Sequence, residues 1–367
     1  MIIAYDAKRA YHNRRGLGNY SRDLIRLMTI YAPENNYYLF NPKAKDSIKL
    51  QFDDKITQIN PTGAWKLMPS LWRTYGCNNT ISQLNTDIYH GLSSELPYGI
   101  HSLACRKIVT IHDAIFMRFP DQYSASYRQI ILQKCRYACK SADTIVAISQ
   151  QTKQDCIYYF GADEHKIQVI YQGCNNRFRN MLSQQQKDEV IQRHKLPEHY
   201  ILYVGAIEPN KNISNLIKAI HIAHAELPLV IASAPSKYAQ DITALAQQLG
   251  VTIDIRYQVP AEDLPAIYQN ADLFAFMSYF EGFGIPVLEA VCSHIPIIAS
   301  KNTCLQETGG NAALYAEPGN PEDIAEQINL ALNDTNLRQQ LINACDAQAE
   351  KFSDTTIARN LIKLYRQ

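Results

Sequence analysis

Short, apolar, β-branched segments alternate with helix-patterned stretches along nearly the whole chain, and this alternation restricts the fold more than any other feature. Strands are predicted over residues 2–7, 37–40, 55–59, 87–91, 107–113, 144–149, 200–207, 227–234, 251–258, 273–278, 295–300 and 313–317. Helices are predicted over 18–31, 122–140, 150–160, 212–225, 236–249, 261–270, 285–293 and 321–332. Near-continuous apolar strands separated by helices are typical of parallel sheets covered on both faces. The predicted fold class is therefore α/β with doubly wound parallel sheets.

The two runs of strands are joined around residues 172–199, and a chain of 367 residues suits two domains better than one core. We predict a Rossmann-like domain at 1–180 and a second at 195–345. Residues 346–367 are predicted to form a C-terminal helix that crosses back to the first domain. Ligands of open α/β sheets lie outside the carboxyl ends of the strands. We therefore expect the active site in a cleft between the domains, built from strand-to-helix turns.

Charge is divided unevenly along the chain. Residues 1–180 contain 23 Lys/Arg and 14 Asp/Glu, whereas the remainder contains 13 and 21, although the whole chain has a net charge of only +1. A basic half suggests an anionic partner, such as nucleic acid, an anionic membrane surface or a phosphorylated acceptor. Uneven surface charge without a function is the alternative.

The cysteines and the N-terminus indicate the compartment. The nine cysteines include no Cys-x-x-Cys pair, which fits reduced thiols in the cytosol. The N-terminal residues read as a strand rather than a signal segment, and no apolar run approaches the roughly 20 residues of a membrane span. We expect a cytoplasmic protein, with peripheral attachment to the inner membrane face as an option.

Two turns in the first half carry candidate residues. Gly16 and Gly18 follow the first strand, where glycines permit close backbone approach and a helix N-terminus attracts an anion. The third glycine of the dinucleotide fingerprint is absent, so an NAD site is not supported. His112 and Asp113 end one apolar strand and Ser149 ends the next. A glycine turn needed only for chain reversal and a structural histidine are the alternatives.

A third turn contains Gly205, Asn210 and Lys211 after the strand at 200–207. A lysine beside a helix N-terminus suits a diphosphate, because both supply positive charge. An ordinary surface lysine is the alternative interpretation.

The fourth turn is the most informative. Glu281, Gly282 and Gly284 follow the strand at 273–278, Pro286 fits the first helical turn, and Glu289 lies one turn further. Carboxylates accept hydrogen bonds from sugar and ribose hydroxyls, whereas free amides suit phosphate oxygens. The turn therefore indicates a sugar-nucleotide site. A carboxylate that only complements the helix dipole is the alternative.

These motifs together resemble a known family. Glu281-x7-Glu289 within EGFGIPVLEA resembles the E-x7-E signature of retaining GT-B glycosyltransferases of family 4. GAIEPNKN resembles the donor-phosphate loop of that family, RRGLGNYSRDL its N-terminal glycine loop and TIHDAIFMRFP its acceptor-side segment. AISQQTKQD and VIYQGCN resemble its interdomain stretches. The similarity covers essentially the whole chain in order and is greatest to bacterial polysaccharide mannosyltransferases.

The resemblance implies a GT-B fold, in which two Rossmann-like domains flank the active site, and a role for each candidate residue. Catalysis is implied for Glu281 on the transferred sugar, His112 against it and Lys211 on the leaving diphosphate. Donor binding is implied for Gly16, Gly18, Gly205, Asn210, Gly282, Phe283, Gly284 and, on the ribose, Glu289. Asp113 and Ser149 are implied on the acceptor side. Asn210 stands where the family has arginine, and Arg14 or Arg15 is the candidate replacement.

The expected activity is retaining transfer of a hexose, with GDP-mannose as the preferred donor, to a lipid-linked saccharide of cell-surface polysaccharide biosynthesis. No Asp-x-Asp motif is present, so we expect no metal. We also expect no other cofactor and no nucleic-acid partner. Residues 65–73 place both tryptophans beside cations, which suits a membrane interface, although a core helix is the alternative.

Competing functions are a GT-B epimerase or phosphorylase, a nicotinamide oxidoreductase and a non-catalytic carbohydrate-binding protein. Product analysis with and without acceptor, NAD binding and donor hydrolysis distinguish them.

Overall fold

The structure is a computed structural model that describes residues 1–14, 16–43, 48, 50 and 56–367. Arg15, and Lys55 at the start of the strand predicted over 55–59, lie outside the described residues. The chain divides into two compact units, one of residues 1–173 with 354–367 and the other of residues 174–353.

The first unit is built around a parallel sheet. Its strands are β1 (Ile2–Asp6), β2 (Asn36–Phe40), β3 (Ile56–Ile59), β4 (Ile88–Gly91), β5 (Arg106–Ile111), β6 (Thr144–Ala147) and β7 (Ile167–Val169), in the order β3-β2-β1-β4-β5-β6-β7. Its helices are α1 (Lys8–His12), α2 (Gly16–Tyr31), α3 (Pro69–Leu71), α4 (Cys77–Gln83), α5 (Ile115–Arg118), α6 (Ala125–Ser141) and α7 (Gln150–Phe160), and the C-terminal helix Asp354–Tyr365 completes it. β6 is buried at every position and β5 is buried over residues 108–111, which is why these stretches are mostly apolar. The sequence analysis did not predict β7, which is only three residues long.

The second unit contains the other parallel sheet. Its strands are β8 (Ile201–Val204), β9 (Leu229–Ser233), β10 (Ile253–Tyr257), β11 (Leu273–Phe276), β12 (Ile297–Ser300) and β13 (Ala313–Ala316), in the order β10-β9-β8-β11-β12-β13. Its helices are α8 (Gln184–His194), α9 (Ile213–Ile222), α10 (Ala239–Leu249), α11 (Leu264–Gln269), α12 (Ile285–Cys292), α13 (Leu305–Gly309), α14 (Pro321–Asn333) and α15 (Thr335–Glu350). The α/β prediction with two parallel sheets is confirmed, and α8 lies in the segment that the sequence analysis assigned only as a connection.

The C-terminal segment is two helices rather than one. Residues 346–350 end α15 in the second unit, whereas Asp354–Tyr365 forms α16 in the first unit. The apolar face of α16 is buried, and Arg26 Nη2 donates to Asp354 Oδ2 at 2.9 Å. The Arg106 guanidinium also donates to the Leu364 carbonyl at 2.6 Å. These contacts fasten the end of the chain to the first sheet.

A buried polar network continues this attachment into the core of the first unit. His90 Nδ1 lies 2.7 Å from Tyr365 Oη on α16, and His90 Nε2 lies 2.9 Å from Thr110 Oγ1 on β5. Thr110 Oγ1 is in turn 3.0 Å from Tyr20 Oη on α2. Buried polar groups are costly unless they are paired, so these side chains depend on one another. Burial, with the charge of His112 as a smaller effect, lowers the pKa of His90 to about 3.

We predict that the first unit loses stability as the pH falls below about 6.5, the pKa of histidine in the unfolded chain. Between that pH and about 3, His90 is protonated in the unfolded state but stays neutral in the native state. The free energy of unfolding therefore falls by up to about 1.4 kcal/mol per pH unit for this group. His112, whose pKa is lowered to about 4, adds to the slope. Urea titrations at pH 7 and pH 5 measure this change in the free energy of unfolding. The fluorescence of Trp65 and Trp72 reports on the first unit.

Substitution of His90→Gln should reduce the pH dependence, because one of the two buried histidines is removed. Exposed His165→Gln, in the same unit, is the matched control and should leave the slope unchanged. An unaltered slope in His90→Gln would show that His90 is not responsible.

Candidate donor-sugar site

The second unit brings two of the predicted turns together. β8 and β11 are parallel neighbours, with Leu273 opposite Ile201, so the turns that follow them start at the same edge of the sheet. The Asn210 carbonyl accepts hydrogen bonds from the Tyr279 amide at 3.0 Å and from Ser278 Oγ at 3.2 Å. Pairing of the strands and these cross-links fix the two turns against each other.

Lys211 and Glu281 form an ion pair across the two turns. Lys211 Nζ lies 2.7 Å from Glu281 Oε1, and the two side chains are 15% and 16% exposed. Both groups therefore retain some contact with solvent while being largely desolvated, which strengthens their interaction with a polar ligand. A cation for phosphate oxygens and a carboxylate for hydroxyls are thus available side by side.

The turn before α12 requires glycine at position 284. Gly284 has φ +96°, in the left-handed region, and a Cβ there would lie 2.3 Å from Leu305 Cδ2. Phe283 packs its ring against Phe352, and its carbonyl accepts a hydrogen bond from Thr308 Oγ1 at 2.6 Å. No side chain of the described residues caps α12 at its N-terminus. The first turn of α12 therefore presents a partial positive charge beside Glu281.

Glu289 lies inside α12 and is not part of the ion pair. Its Oε2 accepts a hydrogen bond from Tyr268 Oη at 2.9 Å. Burial raises the pKa of Glu289 to about 7, although the hydrogen bond from Tyr268 and the charge of Arg177 act in the opposite direction. Ribose hydroxyls that donate to this carboxylate would favour its charged form. A hydrogen-bond donor that reached Glu289 would therefore lower its pKa.

Asn210 and Gly205 complete the description of this loop. Asn210 is 2% exposed, and within the described chain neither its Oδ1 nor its Nδ2 has a hydrogen-bond partner. Leaving such a group unpaired costs about 1–3 kcal/mol. Because the unpaired amide is buried, donor binding by Asn210 stays a prediction. Gly205 follows β8, where a Cβ would meet Tyr203 Oη at 2.9 Å.

In the first unit, His112 follows β5 and is buried. Its Nε2 lies 2.9 Å from the Leu92 carbonyl, which can only accept, so Nε2 carries the proton. Burial lowers the pKa of His112 to about 4, and the ring is therefore neutral at physiological pH. Nδ1 then holds the lone pair and can accept a hydrogen bond. The imidazole ring of His112 packs edge-to-face against the Tyr20 ring, with the centroids 4.7 Å apart and the ring planes at 90°.

The remaining predicted residues of this unit have evident local functions. Asp113 Oδ1 accepts a hydrogen bond from the Ile115 amide at 3.0 Å, and Ser149 is fully buried and caps α7. A Cβ on Gly18 would lie 1.8 Å from the Asn13 carbonyl oxygen, so close packing of α2 alone requires this glycine. Gly16 has open space around it, and Arg14 is exposed. Ligand contacts by these residues stay predictions.

Sequence reasoning missed Tyr268, which donates a hydrogen bond to Glu289, and Thr308, which donates one to the glycine turn. Tyr268 lies on α11 and Thr308 on α13, so neither is near its partner in sequence. A strand-to-helix pattern contains no signal for such contacts between different helices. Tyr20 was likewise missed, although it directly follows the predicted glycine loop.

Two family models match the chain. The model described as "Glycosyltransferase Family 4" matches residues 31–177, and "Glycosyl transferases group 1" matches residues 184–347. The second match contains the Lys211–Glu281 pair and Glu289. The chain belongs to the glycosyltransferases that these two models describe, and the predicted family resemblance is confirmed.

Individual relatives agree with this membership. The chain is 29% identical over 287 residues to O-antigen chain mannosyltransferase B of Escherichia coli, covering 76% of this chain and 74% of the relative. It is 30% identical over 217 residues to O-antigen chain mannosyltransferase RfbU of Salmonella typhimurium, covering 57% and 56%. Sucrose-phosphate synthase from Thermosynechococcus elongatus superimposes with a TM-score of 0.77 at 18% identity, over 100% of this chain and 98% of that one. The GT-B fold is thereby confirmed.

We predict that Lys211→Ala lowers transferase activity by about 10²-fold, equivalent to about 3 kcal/mol, without unfolding the protein. The lysine contributes charge beside Glu281, so its removal should act on the reaction; because its side chain is only 15% exposed, some packing of the methylene stem is lost as well. Initial rates of transfer and the midpoint of thermal unfolding measure the two effects separately.

Lys218→Ala is the matched control, because Lys218 is an exposed lysine on α9 of the same unit. It should retain full activity. Near-normal activity in Lys211→Ala would show that another group neutralises the donor phosphates.

Proposed function

We propose that the protein transfers a mannosyl group from GDP-mannose, with retention of anomeric configuration, to the saccharide of a lipid-linked intermediate in cell-surface polysaccharide synthesis. The observation that carries the proposal is the 2.7 Å pairing of Lys211 with Glu281 at the start of α12. The choice of mannose is supported by the O-antigen mannosyltransferases among the relatives.

The proposed chemistry follows from where charge develops. Breaking the bond between the anomeric carbon and the diphosphate leaves negative charge on the phosphate oxygens. The Lys211 ammonium group and the partial positive charge at the N-terminus of α12 stabilise the negative charge on that leaving group. The acceptor hydroxyl attacks from the face that the diphosphate leaves, and the departing phosphate takes its proton. Glu281 then accepts hydrogen bonds from the donor sugar, and Glu289 from the ribose.

His112 is proposed to contact the transferred sugar. Its Nε2 proton is committed to the Leu92 carbonyl, so its Nδ1 lone pair serves as the acceptor for a sugar hydroxyl. A neutral ring suits this part, because a protonated Nδ1 is a donor and has no lone pair. We also propose that catalysis is independent of metal, because Lys211 supplies the positive charge that a divalent cation supplies in other transferases.

We predict that, among GDP-, UDP- and dTDP-sugars, GDP-mannose raises the thermal unfolding midpoint most and supports transfer to an oligomannoside in excess EDTA. A ligand that binds only the native state stabilises it according to its concentration relative to Kd. Anomeric proton spectra of the product report whether configuration is retained.

Preference for a UDP-sugar would replace the proposed donor. Loss of transfer in EDTA, with recovery upon addition of Mg²⁺ or Mn²⁺, would overturn metal independence. Conversion of the donor without any acceptor would favour an epimerase.

We also propose that the first unit docks on an anionic membrane surface. In the segment 65–73, Trp72 is buried and stacks on Phe40 at 5.8 Å, as the core-helix alternative requires. The other apolar side chains form an exposed ridge, which consists of Trp65 (36% exposed), Leu67 (86%), Met68 (46%) and Leu71 (47%). Exposed Lys66 lies within the ridge, and such a mixture suits a membrane interface. Of the helices in the described ranges, none has the length and apolar character that crossing a bilayer requires.

We predict that the protein sediments with vesicles that contain anionic lipid and is released by high salt. The Debye length falls from about 10 Å at 0.1 M to about 3 Å at 1 M salt, which screens the attraction. The double variant Leu67→Ser/Leu71→Ser should lose most of this binding. Ile30→Ser, another exposed apolar residue of the same unit, should retain it. Equal and negligible sedimentation with neutral and anionic vesicles would contradict the docking.

A further inference from the structure

Tyr268 is a fully buried tyrosine of α11 whose hydroxyl lies beside the carboxyl group of Glu289. Its ring packs edge-to-face against Phe178, with the centroids 5.5 Å apart and the ring planes at 89°, and against Phe274 at 5.2 Å. Phe178 ends the turn Asn176–Phe178 and Phe274 lies on β11, both in the second unit. Rings from two other elements thus fix the Tyr268 side chain, and its hydroxyl is held in place independently of Glu289.

The Tyr268 hydroxyl has one proton and two acceptors within reach. Its Oη lies 2.9 Å from Glu289 Oε2 and 3.4 Å from the Pro286 carbonyl oxygen. A hydrogen bond to a carboxylate is stronger than one to a neutral carbonyl, and here it is also the shorter, so the proton goes to Glu289. The hydrogen bond therefore fixes the carboxyl group of Glu289 at the side of α12 that faces α11.

Glu289 has a second carboxylate oxygen to offer. Oε2 is occupied by Tyr268, whereas no residue in the described ranges donates a hydrogen bond to Oε1. Glu289 is also partly exposed, unlike the tyrosine that holds it. A carboxylate has about four acceptor positions on its two oxygens, so Oε1 has the capacity for both hydroxyls of a vicinal diol. The carboxyl group is thus fixed through one oxygen and available through the other.

From this arrangement we infer that Tyr268 is a positioning residue for nucleotide binding, which holds Glu289 so that Oε1 accepts the two ribose hydroxyls of the donor. A glutamate side chain that is already fixed loses less conformational freedom when a ligand binds, and the affinity is higher as a result. Because Tyr268 is fully buried, it acts through Glu289 and not by touching the nucleotide. The inference rests on the proposed function in taking Glu289 to bind the ribose.

The same hydrogen bond affects the charge of Glu289. Burial raises the pKa of Glu289 to about 7, and Tyr268 and Arg177 both oppose that rise. The titratable and charged groups around this carboxyl group are Tyr268 on α11, Arg177 and Cys174 before α8, Cys292 on α12 and, beyond Cys292, Cys345 on α15. Removal of the Tyr268 hydroxyl should raise the pKa of Glu289 further, because the charged form loses a donor.

The test uses neither sugar nor acceptor. The full-length protein is titrated calorimetrically with GDP and with UDP, each compared with its 2′,3′-dideoxy analogue, which lacks both ribose hydroxyls. For the ribonucleotide that binds more tightly, Tyr268→Phe should weaken binding about fivefold, whereas binding of the dideoxy analogue should not change.

Tyr200→Phe is the matched control. Tyr200 is also fully buried in the second unit, and its hydroxyl donates to the Ile267 carbonyl of α11 at 2.6 Å. The control variant loses a comparable hydrogen bond to the same helix but none to Glu289, so it should bind every nucleotide as the wild-type protein does.

A pH series and a double variant provide readouts that a loss of stability alone would not move. In the wild-type protein, the preference for the ribonucleotide over its dideoxy analogue should rise between pH 6 and pH 8, as Glu289 ionises. Effects of pH on the phosphates cancel in this ratio, because both forms carry them. In Tyr268→Phe the rise should come at higher pH. Glu289→Gln should remove the preference, and adding Tyr268→Phe to it should cause no further loss.

Equal weakening of the ribonucleotide and its dideoxy analogue in Tyr268→Phe would overturn the inference, as would a wild-type protein without any preference between them. If the preference and its loss in Tyr268→Phe are found but no sugar is transferred, the proposed function fails and the inference holds.

Discussion

The pairing of β8 with β11 is the constraint on which the candidate donor site depends. Lys211 and Glu281 are seventy positions apart in the sequence, so the local structure of either turn cannot bring the two side chains together. Parallel pairing makes both turns leave the same edge of the sheet, and the Asn210 carbonyl then joins them. The ion pair follows from this backbone arrangement. Because the sheet and not the pair fixes the geometry, the two charged groups remain free to exchange partners for a ligand.

Burial has opposite consequences for titratable groups in the two units. In the second unit it raises the pKa of Glu289 to about 7, which the hydrogen bond from Tyr268 only partly offsets. In the first unit it lowers the pKa values of His90 and His112, so that both rings stay neutral. Burial disfavours the charged form in each case. A carboxyl near its midpoint responds to a ligand, whereas a neutral histidine provides a constant hydrogen-bonding pattern.

The sequence predicted the sheets well because strands buried on both faces leave a clear apolar record, as in β5 and β6. It also predicted that Lys211 and Glu281 lie in turns that follow two strands, β8 and β11. It did not predict the break between α15 and α16, since residues 335–367 have a helical pattern throughout. The hydrogen bond from Tyr268 to Glu289 and the unpaired amide of Asn210 also lack a signal, because they depend on packing between distant segments.

The charge of the first unit shows why composition predicts partners poorly. An excess of basic residues over 1–180 suggests an anionic ligand, but many of these cations already have carboxylate partners. Arg118 pairs with Asp155, Arg26 with Asp23 and Asp354, and Arg73 with Asp6 and Glu95. A guanidinium that is satisfied in this way contributes to the net charge without offering donors to a ligand. The proposed attraction to an anionic surface therefore depends on exposed cations such as Lys66, next to apolar side chains.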